Sequence, residues 1–199
     1  MDVAGAAQAG RMAGTPLVWA GRFFAEKYGR AAVGEVVSKI APQWRSLLNP
    51  HADALGLLGA RWYPYAFVAD YVQTARAVVR AEEDPFVREV AFAGIDGSMS
   101  TVMRAMVRWL GTPQSLAGRS QETWRLFHDT GIVTVPTLGE RELRRRVTEW
   151  QGHNVVVCKI VAEVFTRSFG KTGVKNVRVQ REECVAWGRD ACVFHVRWE

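Results

Sequence analysis

The chain has 199 residues, 48% of them hydrophobic, which is ordinary single-domain length with enough apolar material for a real core. Its net charge of +6 is spread over 26 basic and 20 acidic residues, so charge alone does not specify a nucleic-acid partner. An odd number of cysteines, no charged-then-apolar leader and no uninterrupted apolar run of about 18 residues argue against secretion and against membrane spanning, and the expected location is the cytoplasm.

Residues 1–14 are mostly Ala and Gly, too poor in large apolar groups to fold alone, and are expected to form a flexible tail ahead of one domain over 15–199. Thr15-Pro16 supplies a cap and a first-turn proline for an amphipathic helix that Gly29 can end. A second helix is expected from Ala31 to Leu48, and the stretch Gly56 to Gly59 reads as a loop. Pro64 opens a third helix with Phe67, Val68, Tyr71, Val72 and Ala75 at helical spacing. Asp84-Pro85 starts a fourth, reaching Trp109, in which Gly94 and Gly97 permit close packing. Thr112-Pro113 starts a fifth that ends near Phe127.

After Gly131 the period changes. Ile132–Val135 and Leu143–Trp150 read as strands, Val155–Phe169 as a helix, and Val174–Cys184 with Ala191–Trp198 as a terminal hairpin turning at Trp187-Gly188-Arg189-Asp190. The fold class is therefore α+β: N-terminal helices followed by β-β-α-β-β, an antiparallel sheet packed against helices. Arg144, Arg145 and Arg146 are expected to be mainly a solvated strand face, although period-two alternation puts Arg145 opposite its two neighbours. Without interleaved aromatic residues they do not argue for nucleic acid.

No catalytic constellation is visible: there is no nucleotide-binding glycine fingerprint, no phosphate loop and no nucleophile elbow. Eight tryptophans are many for this length, and Trp109, Trp124 and Trp150 are candidates to line an apolar cavity.

The cysteines are more telling. Cys158, Cys184 and Cys192 all fall in the last fifth of the chain, and the hairpin brings the last two together. Soft thiolates drawn from separate segments suit a closed structural Zn²⁺ site, for which Glu182 or Glu183 would be the fourth donor; three unrelated core thiols are the rival reading. His153 and His195 lie close in sequence but are set aside. Five positions along a helix separate His153 from the Cys158 face, and three along a strand put His195 opposite Cys192.

The segment Glu182-Glu183-Cys184-Val185-Ala186-Trp187-Gly188-Arg189-Asp190-Ala191-Cys192, with Cys158 upstream, resembles the 4-vinyl reductase domain family. Within it the chain is similar to the aromatic-effector-sensing domains of bacterial enhancer-binding activators. More distantly, it resembles haem nitric-oxide-binding-associated domains and TRAPP vesicle-tethering subunits. The resemblance implies zinc held by the three cysteines and an acidic residue, although Arg181 stands where the sensors carry that acid. It also implies an aromatic ligand beside Trp124 and His128.

Together these readings point to a non-catalytic sensor or carrier of a small apolar or aromatic ligand, with a structural zinc, a homodimer and a partner protein for output. The alternatives are a ligand-free adaptor of the TRAPP type and an accessory protein in tetrapyrrole reduction.

Overall fold

The computed structural model describes residues 10–99 and 111–199, so the expected helix end at Trp109, and Trp109 itself as a cavity residue, fall outside the described part. Nothing in residues 10–13 looks like a strand by composition, yet Arg11–Ala13 forms one (β1), antiparallel to Trp62–Pro64 (β2). The expected tail boundary at residue 14 is therefore too late. Tertiary pairing, not propensity, orders this segment: Ala13 N–H donates to the Phe127 carbonyl at 2.9 Å, and Tyr65 N–H to the Gly10 carbonyl at 3.1 Å.

Helix α1 (Gly14–Lys39) absorbs the first expected helix and the start of the second, which ends at Lys39 and not at Leu48; Pro42–Leu47 forms a separate 3-10 helix. Gly29, at φ 81°, breaks α1 into two arms, a backbone state that costs glycine little. Helix α2 (Tyr65–Val79) begins directly after Pro64 and buries Val68, Tyr71, Val72 and Ala75, spaced at one helical face. In α3 (Glu83–Ser98) the two glycines do allow close approach: a Cβ on Gly97 would run into the Trp19 ring, and one on Gly94 would lie 3.1 Å from the Pro16 carbonyl. The expected fifth helix is two short ones, α4 (Pro113–Gly118), whose Thr112 and Ser115 form a reciprocal cap, and α5 (Ser120–Arg125).

The β-β-α-β-β order holds, with β3 (Ile132–Leu138), β4 (Glu142–Thr148), α6 (Val155–Gly170), β5 (Arg178–Glu183) and β6 (Cys192–Arg197). The sheet is antiparallel in the order β3-β4-β6-β5, so β6 inserts between β4 and β5. Helix α6 lies on its inner face and buries Val157, Cys158, Val161, Phe165 and Phe169. At roughly 1.5–3 kcal/mol for each large apolar side chain removed from water, this stripe and the facing residues of β6 hold the helix to the sheet. Among the described residues, no helix is long and apolar enough to cross a membrane.

Candidate functional site

Where α1, α2, α3 and α6 meet the sheet, the packing leaves a cavity of about 100 Å³. Leu17, Ala20, Ala91, Ile160 and Phe165 give it an apolar wall, and Trp124, His128, Tyr71 and Arg145 are among the polar residues that line it. Of the three residues predicted to contact a ligand, the structure places Trp124 and His128 on this wall.

Local structure fixes both. The Trp124 indole N–H donates to the Thr130 carbonyl at 2.8 Å. Gly131, at φ 99°, leaves room for that ring, since a Cβ there would sit 2.9 Å from the indole nitrogen. His128 forms a backbone bridge to Met12 of β1 and stacks on Trp124 with ring centres 3.8 Å apart; its Nδ1 shares a 2.9 Å hydrogen bond with the Tyr65 hydroxyl. Burial pushes the His128 pKa down to about 3, so the imidazole is neutral at physiological pH.

Arg145 is the unexpected member. The alternation along β4 that separates it from Arg144 and Arg146 points it inward with Leu143 and Val147, and it is 5% exposed. Its guanidinium lies 4.5 Å from the Phe165 ring centre and 5.1 Å from that of Phe169. One Nη donates to the Leu116 carbonyl at 3.0 Å, whereas Nε has no hydrogen-bond partner. Burial lowers its pKa to about 10, which leaves it charged at neutral pH, and among the described residues no carboxylate pairs with it. The two aromatic rings and the Leu116 carbonyl compensate this buried charge in part, but no opposite charge does. The Tyr71 hydroxyl, also buried on this cavity, has no partner either, and its pKa is raised by burial alone. The expectation of a solvated arginine face is thus corrected at Arg145, while Arg144 stays outside and forms an ion pair with Glu182 at 2.9 Å.

A second cluster lies at the start of α6. The Sγ atoms of Cys158, Cys184 and Cys192 are 3.7, 3.8 and 3.9 Å apart, and His153 Nε2 is 3.5 Å from Cys184 Sγ. All four donor atoms lie within 4.8 Å of one another, and the three cysteines are fully buried. The helix starts at Val155 as expected, and discounting His153 by helical spacing fails because the residue lies ahead of that start: Asn154 is the N-cap, its side chain accepting from Val156 N–H at 2.8 Å, so His153 is in the preceding loop and free to turn toward the thiols.

The acidic candidates are elsewhere. β5 is bulged between Arg181 and Glu183, as an acidic ligand would need, but Glu182 faces outward, taken by Arg144 and by His195 Nδ1 at 2.9 Å. Neither Glu182 nor Glu183 joins the cluster. Within it, a hydrogen bond from Cys158 holds the Cys192 thiol below its usual range, while Cys158 is pushed up by sharing its proton with Cys192.

Trp150 joins the two sites. Its ring stands edge-on to Trp124 at 4.9 Å and edge-on to His153 at 5.0 Å.

No family description matches the chain, and no curated protein is significantly similar to it. Solved structures do match. An H-NOX protein from S. oneidensis in the Fe(II) ligation state superposes with a TM-score of 0.68 over 94% of this chain and 96% of its own, at 13% identity. The Fe(II) unliganded H-NOX protein from K. algicida gives 0.65 over 94% and 97%, at 9% identity. An oxygen-binding H-NOX domain related to soluble guanylate cyclases, solved as its oxygen complex, gives 0.64 over 94% and 95%, at 10% identity.

Two expectations are corrected by these matches. The resemblance to the 4-vinyl reductase family rested on Cys158 and residues 182–192, a local pattern, whereas the arrangement of the whole chain is that of H-NOX domains. The structural Zn²⁺ drawn from the same pattern falls with it, since the matching proteins are described by Fe(II) and its gas complexes and none by zinc. At these identities the likeness establishes an H-NOX-like α+β fold for this chain.

Proposed function

We propose that the protein is a non-catalytic small-molecule sensor or carrier whose ligand occupies the cavity between the helices and the sheet, with a partner protein taking the output and a homodimer as the working assembly. The observation that carries this reading is the cavity itself: it lies between the helices and the sheet, is apolar over most of its wall, and two of the residues that line it, Tyr71 and Arg145, carry a buried polar atom without a hydrogen-bond partner. The H-NOX neighbours support a sensor, since one is described in an NO-bound state and another in complex with oxygen.

The heme named for the H-NOX family does not transfer with the fold. A cavity of about 100 Å³ is well below the roughly 300–1,000 Å³ typical of pockets for larger ligands. The one histidine on its wall, His128, is stacked flat on Trp124. Of the other three, His51 is exposed, His153 is in the thiol cluster, and His195 is held between Glu142 and Glu182. A ligand of about one ring or a short chain suits the space better.

Tryptophan emission and thermal melting across a panel of small phenols, short acids and hemin test the reading. Saturable binding of a small compound should shift emission from Trp124 and raise the melting temperature by mass action, and hemin should give no ordered-haem absorption band. A panel with no binder, or stoichiometric haem uptake, would overturn it.

The three thiols and His153 are proposed to hold one metal ion. Their four donor atoms lie within 4.8 Å of one another, so one soft ion placed between them would be in reach of all four. Metal analysis of chelator-free protein decides the element.

A further inference from the structure

We propose that the cavity ligand is a small apolar acid whose carboxylate is held by Arg145. This rests on the reading of the cavity as a ligand site and names the chemistry that would fill it. A guanidinium that is 5% exposed, has no carboxylate partner among the described residues and carries an Nε without an acceptor leaves one strong, directional need unmet within the chain. Buried polar groups are nearly always hydrogen-bonded in folded proteins, so an exception lining a cavity points to a partner from outside.

The need is for an anion. Arg145 spends one Nη on the Leu116 carbonyl, and its Nε remains as a donor on the same planar group, which is the edge that carboxylates commonly grip. The Phe165 and Phe169 rings beside it keep out water and strengthen any charge pairing there. Tyr71, which also lines the cavity, carries a second buried donor without a partner, its hydroxyl.

The rest of the wall selects the ligand's body. Leu17, Ala91 and Ile160 offer an inorganic anion nothing, but they bury a ring or short alkyl chain. One cation matches one negative charge, which favours a monocarboxylate over a phosphate dianion. The space of about 100 Å³ limits the body to about one ring or a few methylenes.

Isothermal titration calorimetry of the full chain with matched pairs tests this: benzoate against benzamide and toluene, hexanoate against hexanol, and inorganic phosphate as the bare anion. The acids should bind at least about tenfold more tightly than their neutral counterparts. Arg145→Met should weaken the acids by about thirtyfold or more while leaving the neutral compounds unchanged or improved. Thermal melts establish that the variant is folded. If it is not, the wild-type pairs still decide, and Tyr71→Phe should weaken the acids by a smaller factor.

Neutral compounds binding as tightly as acids, with no effect of Arg145→Met, would overturn the carboxylate and leave the small-molecule reading intact. Phosphate binding as tightly as benzoate would show an adventitious anion only and overturn it as well. If no compound in either class binds, the sensor reading falls together with this one.

Discussion

The cavity and the thiol cluster lie either side of Trp150 and are incomplete in opposite ways. Two residues that line the cavity carry buried donors without acceptors: the Arg145 Nε and the Tyr71 hydroxyl. The thiol corner has the reverse, four lone-pair-bearing atoms from His153, Cys158, Cys184 and Cys192 converging on one point. The first arrangement calls for a negative partner and the second for a positive one. Two buried sites in one core can therefore be told apart by the sign of what they lack, without knowledge of either ligand.

The largest expected effect breaks the thiol side of that comparison. Cys192→Ser should abolish metal retention, measured by elemental analysis of chelator-free protein, and lower the melting temperature by about 10 °C, because metal-binding free energy is also folding free energy. Unchanged metal content and melting temperature would mean that the cysteines are ordinary core residues.

A second experiment sharpens the cavity side. His128, with its pKa at about 3 in the folded chain against about 6.5 unfolded, is neutral when buried and takes up a proton on unfolding. Its contribution is fully present above pH 6.5 and is lost as the pH falls toward 3. Denaturant unfolding at pH 7 and pH 4 should show about 3 kcal/mol of stability lost through this residue, and His128→Gln should remove that part of the slope. An identical pH dependence in the variant would mean that the ring is hydrated.

The smallest expected effect separates the outer sheet face from both sites. Glu182→Gln should leave the metal content unchanged and shift the melting temperature by no more than about 3 °C, because a partly exposed ion pair with Arg144 contributes little. Loss of metal in this variant would restore the acidic ligand that the sequence pattern implied.

Much of the fold is legible from periodicity and punctuation. The apolar face of α2, its start after Pro64, the change of period after Gly131 and the order of the last five elements all follow from local rules. What escapes the sequence depends on partners distant in the chain. Residues 11–13 become a strand only because Trp62–Pro64 and the 127–129 turn supply hydrogen bonds.

The candidate sites follow the same division. The cysteines are visible by type and spacing, but His153 is missed because helical geometry does not apply to a residue two positions ahead of the start of α6 at Val155. Glu182 is lost to the metal because His195 on the adjacent β6 and Arg144 on β4 beyond it hold it on the outer face. The alternation along β4 does place Arg145 on the face opposite Arg144; only the usual preference of arginine for water hides what that implies.

Trp150 has a practical consequence for anyone watching this protein by light. One indole touches Trp124 on the cavity side and His153 on the thiol side, so a single chromophore is exposed to events at both. A change in its emission on adding a compound is ambiguous between filling the cavity and disturbing the cysteines. The signals separate only when each site is silenced in turn, and the same shared ring is the shortest path by which occupancy of one site would be felt at the other.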